Sequence, residues 1–131
     1  MQRVCQELGI QDWSQLDKAQ VTEEDARIIQ KAVGWEAEQI SSEQFKQGLE
    51  VELEHGTQFT DANVTNNHPL LTGMIVLAHL KEMLDYYTRL EVAELEGDLL
   101  KAYRTGDAEK LLQKYSSLLT AKKILSNEES E

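Results

Sequence analysis

Two segments of this chain each carry a histidine and a glutamate three residues apart. The first segment holds Glu52 and His55, and the second holds His79 and Glu82. Residues three apart on an α-helix occupy neighbouring positions of one face, so each pair can act as a unit. Imidazole and carboxylate groups are ligands that zinc and iron accept, and they also form hydrogen bonds with one another. These four residues are therefore the main candidates for a site.

Metal binding and structural packing both remain open for these residues. Ferritin-like di-iron proteins use Glu-x-x-His motifs with further glutamates on facing helices. Here the second motif is reversed, and only Glu91 and Glu94 could add carboxylates. A mononuclear zinc or iron site of two histidines and one or two carboxylates is chemically reasonable. A buried His–Glu hydrogen bond would leave the same pattern, and it is the interpretation that we favour.

The helices that carry the two pairs should aim their side chains differently. On a helical wheel His79 falls within an apolar arc between Ile75 and Met83, so we expect it to be buried and to need a partner. Glu52 lies about 60° from the middle of the apolar stripe of its helix, whereas Glu54 points away. We therefore expect Glu52 to meet His79 directly, without an ion between them.

Other chemistry has less support in the sequence. Cys5 is the only cysteine, which excludes an intramolecular disulfide and a CxxC zinc motif. No glycine-rich phosphate loop is present. His68 directly precedes Pro69 and is expected in a loop or near a helix cap. The expectation is a protein with no catalytic residue and no cofactor, with zinc or iron as the alternative.

Caps, glycines and the single proline define the helices that must position these groups. Thr22 should cap a helix ending at Gly34, and Ser41 or Ser42 a second helix ending at Gly56. Each helix is then closed by a glycine. The fold class is therefore all-α, a small bundle of four to six helices in a single domain spanning the whole chain.

A Thr-, Asn- and Asp-rich stretch over residues 57–68 predicts one long ordered loop. Pro69 then opens the main helix, which is expected to run from Leu70 to at least Leu90 and as far as Tyr103.

The last part of the chain predicts a helical hairpin over residues 92–125. Asp107 in the turn 105–107 should cap a final helix that ends near Leu125, and residues 126–131 should form a frayed tail. Apolar residues recur there at helical spacing, and Lys122 continues the spacing: Leu95, Leu99, Tyr103, Leu111, Leu112, Tyr115, Leu118 and Leu119. Their stripe must be covered by the body of the protein, which is the default, or by a second chain.

Charge restricts the partners that the protein can bind. The formal net charge is −11; residues 1–97 carry 18 acidic against 7 basic residues, and residues 98–131 carry six of each. Nucleic acid is not an expected partner, because phosphate backbones need clustered Lys and Arg. There is no apolar signal-peptide core and no 18-residue apolar run. We expect a cytoplasmic protein that does not enter membranes and that binds a protein partner or itself.

Residues 21–91 resemble an uncharacterised family of small prokaryotic and phage helical proteins, classed as a domain of unknown function. The resemblance is carried by four short motifs: Glu54-His55-Gly56, Asn63-Val64-Thr65, Ala78-His79-Leu80-Lys81-Glu82 and Asp85-Tyr86-Tyr87. It implies a compact α-helical core over residues 21–91 and brings no activity with it.

Two departures from the family pattern carry expectations. Typical members have Asp-Asp-Pro where this chain has Asn67-His68-Pro69, which removes acidic groups from the loop and weakens a carboxylate-rich metal site. They have Pro-Asp-Tyr-Tyr where this chain has Leu84-Asp85-Tyr86-Tyr87, which suggests that a helix break is smoothed here into a longer helix.

Three functional hypotheses follow. The first is an acidic binding or adaptor domain without catalytic activity, whose loop is ordered by five further residues: Glu54, Asn63, Thr65, Asp85 and Tyr86. The second is a small metalloprotein with hydrolytic or redox chemistry at the His/Glu site. The third is a phage or assembly component that self-associates through its C-terminal helices.

Overall fold

The protein is all-α, as the sequence predicts. The computed structural model describes residues 2–16, 18–59, 61 and 67–130, and within them it contains seven α-helices and no strand. The helices are α1 Gln2–Leu8, α2 Glu23–Val33, α3 Trp35–Glu38, α4 Ser42–Gln58, α5 Pro69–Glu82, α6 Tyr86–Thr105 and α7 Ala108–Glu129, with a 3-10 turn at Trp13–Gln15. The number of helices exceeds the expected four to six because it includes two short helices, α1 and α3.

The chain divides into two compact units, Met1–Leu84 and Asp85–Glu131, which we call the N-terminal and C-terminal units. The N-terminal unit packs α2, α4 and α5 against one another. Its largest buried side chains include Trp13, Ile29, Phe45 and Leu49. The contact of α5 with α2 is close, because a Cβ at Gly73 would lie 2.8 Å from Val33 Cγ2.

The predicted helix starts are confirmed. Thr22 Oγ1 accepts a hydrogen bond from the Asp25 backbone N–H, and Ser41 Oγ accepts one from Gln44 N–H. Pro69 occupies the first turn of α5, as predicted. The expected end of α4 at Gly56 is wrong by two residues, since the helix continues to Gln58.

The predicted continuous helix from Leu70 past Leu90 is wrong. Met83 has extended backbone angles (φ −148°, ψ 124°), and α6 starts only at Tyr86. The reason lies in which face each helix buries. On one straight helix the buried positions of α5 and α6 would point about 90° apart. A break lets each helix bury its own apolar face within its own unit, α5 against α2 and α4, and α6 against α7.

The C-terminal unit is the predicted hairpin, and it begins at Asp85 rather than at residue 92. Gly106 adopts a left-handed conformation (φ +71°), and Asp107 Oδ1 accepts from Lys110 N–H to start α7. Residues 126–129, expected to be frayed, continue α7 to Glu129. Thr88 and Arg89 of α6 anchor this last turn through bonds to Glu128 and Glu129.

The hairpin buries only part of its apolar side chains between its two helices. Val92, Leu95, Leu118 and Ala121 form a core cluster, with Leu99 and Leu125 packed against it. A side-chain ion pair between Lys114 and Asp98 (3.1 Å) also joins the helices.

Candidate functional site

Glu52 and His79 lie close together in the N-terminal unit. Glu52 projects from α4 and His79 from α5, and 3.7 Å separates Glu52 Oε1 from His79 Nε2. The two side chains are neighbours on facing helices, as their positions on the helical wheels predict. The distance between the two atoms is longer than that of a hydrogen bond.

His79 is not buried, contrary to expectation. Its side chain is 33 % exposed, against 19 % for Glu52. The buried face of α5 is centred on Val76 and Leu80, and His79 lies about 80° from that centre on the helix. The wheel treated Met83 as part of the apolar face, whereas the helix ends before it and its side chain is 42 % exposed.

The structure does not bring the four candidate residues together. His55 is half-buried in the last turn of α4, and Glu82 is exposed at the last position of α5. Across the described residues, no three His, Cys, Asp or Glu side chains are grouped so as to hold a metal ion. Protein zinc sites use three or four such ligands, so Glu52 and His79 form a pair and not a metal centre within this part of the chain.

The residues expected to order the loop have separate surroundings. Glu54 is exposed, and its carbonyl oxygen accepts from Thr57 Oγ1. Asn63 and Thr65 lie outside the described residues, as does half of the predicted loop 57–68, whose first two residues belong to α4.

The other two such residues belong to the C-terminal unit. The Tyr86 ring contacts that of Tyr87 edge to face at 5.0 Å. Asp85 pairs with Arg89 at 2.9 Å, and hydrogen bonds to Asp85 and then to Glu129 raise the pKa of the guanidinium.

An open apolar groove lies on the hairpin. A groove of about 620 Å³ runs between α6 and α7, and we call it the hairpin groove. Its lining consists of Leu99, Leu100, Tyr103, Leu111, Leu112, Tyr115 and Leu118, with Glu96 and Lys122 as the charged members.

The groove lining is largely exposed. Tyr103 is 74 % exposed, Leu112 71 % and Tyr115 50 %. The predicted stripe is therefore split: Leu95 and Leu118 face the hairpin core, while the other edge of the same stripe faces outward. Within the C-terminal unit, α6 and α7 thus cover only one edge of the stripe.

Sequence reasoning missed two groove residues. Leu100 was not assigned to the stripe, although it lies one turn before Tyr103 on the same face. Glu96 carried no signal of its own, because it is one of several acidic residues along α6. None of the helices in the described residues is long and apolar enough to span a membrane.

The chain belongs to the family described as protein of unknown function (DUF5661), which matches residues 1–96. The match confirms the resemblance and extends it to α1 and the Trp13–Gln15 turn, which precede the motifs that carry it. No curated protein and no solved structure matches the chain. The family match covers the N-terminal unit and the first half of α6, and ends before the apolar lining of the hairpin groove.

Proposed function

We propose that this protein is a helical binding domain without catalytic activity, acting in the cytoplasm, and that its docking surface is the hairpin groove. The observation that carries the proposal is the exposure of this continuous apolar lining. Monomeric proteins rarely leave contiguous apolar patches of more than a few hundred Å² in water, and larger ones mark interaction sites.

The composition of the groove supports a protein ligand. Two tyrosines and several leucines line it, and charged groups occur only as Glu96 and Lys122. Aromatic side chains at the centre of an interface, with few charges, are typical of surfaces that bind other proteins. An amphipathic helix is the shape that fits between two antiparallel helices.

The single thiol of the chain, Cys5, is buried. A buried lone cysteine suits a reducing compartment, which supports the cytoplasmic part of the proposal.

A photo-cross-linker placed in the groove tests the proposal. Replacing Tyr103 with benzoylphenylalanine and irradiating cells should give a discrete covalent adduct, because the ring would lie against the docked partner. The matched control is the same replacement at Ile124, which is 48 % exposed on α7 and lies about 180° around the helix from Tyr115. Adducts of equal yield at the two positions, or none at Tyr103, would contradict the proposal.

A further inference from the structure

We infer that the partner in the hairpin groove is a second copy of this chain, and that two hairpins pair into a symmetric four-helix bundle. The inference rests on the proposed function, since it requires the groove to be a docking surface. It adds the identity of the partner, the symmetry and one specific contact.

The exposed lining of the groove supplies a large part of the area that a symmetric dimer needs. Leu100, Tyr103, Leu112 and Tyr115 are each about half or more exposed, which leaves on the order of 100 Å² of apolar surface on each. A standard interface buries about 800 Å² on each partner, so these four side chains supply about half of it and the polar atoms around them add to that area.

Two copies of the hairpin can cover each other's exposed apolar stripe. Each presents two antiparallel helices with an uncovered stripe along one side, and four-helix bundles are built by closing two such stripes on each other. An isologous contact of this kind uses the same patch on both copies. Tyr103 and Tyr115 then supply projecting side chains, and the space between α6 and α7 receives them.

Charge favours self-association over a strongly charged partner. The whole excess of negative charge lies in residues 1–97, whereas residues 98–131 carry six acidic and six basic residues. The segment that provides the apolar lining is thus neutral. A basic partner would gain little from it, and a second copy would meet no repulsion at the contact itself.

The two charged groove residues, Glu96 and Lys122, set the orientation of the two copies in the dimer. Both are far from the 105–107 turn, and the Thr88–Glu128 and Arg89–Glu129 bonds fix the hairpin register so that Glu96 and Lys122 are level within about one helical turn. A two-fold axis parallel to the helices places α6 of one chain opposite α7 of the other at the same level. Glu96 would then face Lys122 of the partner subunit, twice in each dimer.

Molar mass in solution is the first test. Light scattering on purified full-length protein should give twice the mass of the chain at micromolar concentration. Tyr103→Glu and Leu112→Glu should each give monomers with an unchanged circular dichroism spectrum, because both side chains are exposed in the single chain. Ile124→Glu should remain dimeric. A monomeric wild type, or a dimer insensitive to both groove variants, would overturn the inference.

Charge reversal tests the specific contact without touching the apolar lining. Glu96→Lys and Lys122→Glu should each weaken self-association about tenfold or more, because each places two like-charge pairs in the dimer. Mixing the two variants should restore wild-type affinity as a heterodimer. In that heterodimer the introduced lysine of one chain faces the introduced glutamate of the other, and the remaining native residues, Lys122 and Glu96, also face each other. Loss of affinity without recovery on mixing would overturn the parallel arrangement.

Failure of this inference and failure of the proposed function are distinguishable. A Tyr103 cross-link to a different protein, together with a monomeric wild type, would refute the second copy and leave the docking surface in place. Absence of any adduct at Tyr103 would refute both.

Discussion

His68 starts α5 with a hydrogen bond that a carboxylate usually accepts. Its Nδ1 accepts from the backbone N–H of Leu70 at 3.2 Å, with Pro69 at the next position. Aspartate is among the strongest N-cap residues, and here the imidazole takes the role of that acceptor.

Substitution of His68 tests this interpretation. His68→Ala should lower the free energy of unfolding by about 1 kcal/mol, because the cap acceptor is lost. His68→Asp should match or exceed the wild type, since it restores the acceptor and adds a negative charge at the helix N-terminus. Urea unfolding followed by tryptophan fluorescence reports this unit, because both tryptophans, Trp13 and Trp35, lie in it. An aspartate variant as unstable as the alanine variant would show that His68 acts by packing.

The Glu52–His79 contact should contribute little to stability. Both side chains are partly exposed and 3.7 Å apart, and such pairs are worth about 0–1 kcal/mol. A double-mutant cycle with Glu52→Gln and His79→Gln should give a coupling energy below about 1 kcal/mol. A larger coupling would mean that the two groups act within a more extensive network.

Metal content is checked on protein made without a histidine tag. Because no three His, Cys, Asp or Glu side chains of the described residues are grouped so as to hold a metal ion, we expect substoichiometric zinc, iron and manganese by elemental analysis and an unchanged melting temperature in chelator. Stoichiometric metal that disappears in His79→Gln would contradict this and restore the metalloprotein alternative.

At the level of helices, Gly73 lets α5 approach α2. An added Cβ would lie 2.8 Å from Val33 Cγ2 and 3.0 Å from Ile29 Cγ2. Both neighbours are β-branched and hold one preferred rotamer in a helix, so they cannot turn aside without strain. The glycine is thus a packing requirement of the N-terminal unit, which no pattern in the sequence had indicated.

Two glycine-to-alanine variants separate packing from helix propensity. Alanine is favoured over glycine inside a helix by about 1 kcal/mol. At Gly97 a Cβ would meet nothing within 4 Å, so Gly97→Ala should stabilise the protein by up to that amount. At Gly73 overpacking by about 1–3 kcal/mol opposes the gain, so Gly73→Ala should be destabilising overall. Circular dichroism in urea measures both; equal effects of the two changes would remove the packing argument.

Helix starts were predictable from sequence, whereas helix continuity was not. Thr22, Ser41, Pro69 and Asp107 act locally through hydrogen bonds or fixed backbone angles, so their roles can be inferred from neighbouring residues. The break after Glu82 depends on which face each helix buries, and that is decided by the rest of the fold. The same limit explains why His79 was placed correctly beside Glu52 but wrongly in the core.

For the whole molecule, the charge distribution sets how self-association responds to salt. Each chain carries −11, all of it in residues 1–97, so two acidic bodies repel while a neutral apolar surface attracts. Salt screens the repulsion over about 10 Å at 0.1 M. Raising sodium chloride from about 50 to about 300 mM should therefore tighten the dimer in sedimentation equilibrium. Weaker association at high salt would mean that ion pairs dominate the contact.

The hairpin groove could be predicted only in part from the sequence. Helical spacing from Leu95 to Leu119 revealed an apolar stripe that something must cover. It could not show that the hairpin encloses one edge of the stripe and leaves the other open. That division depends on the relative rotation of α6 and α7, which bonds such as Lys114–Asp98 help to fix.

The family match ends at residue 96, and every apolar side chain of the hairpin groove comes after that point. With the hairpin groove as the proposed docking surface, relatives that share only the matched region would share the N-terminal unit but not the apolar lining of the groove. Membership of this family is then a guide to the scaffold and a poor guide to the binding partner of each member. A partner identified for one relative should be transferred to another only when the segment after residue 96 is shared as well.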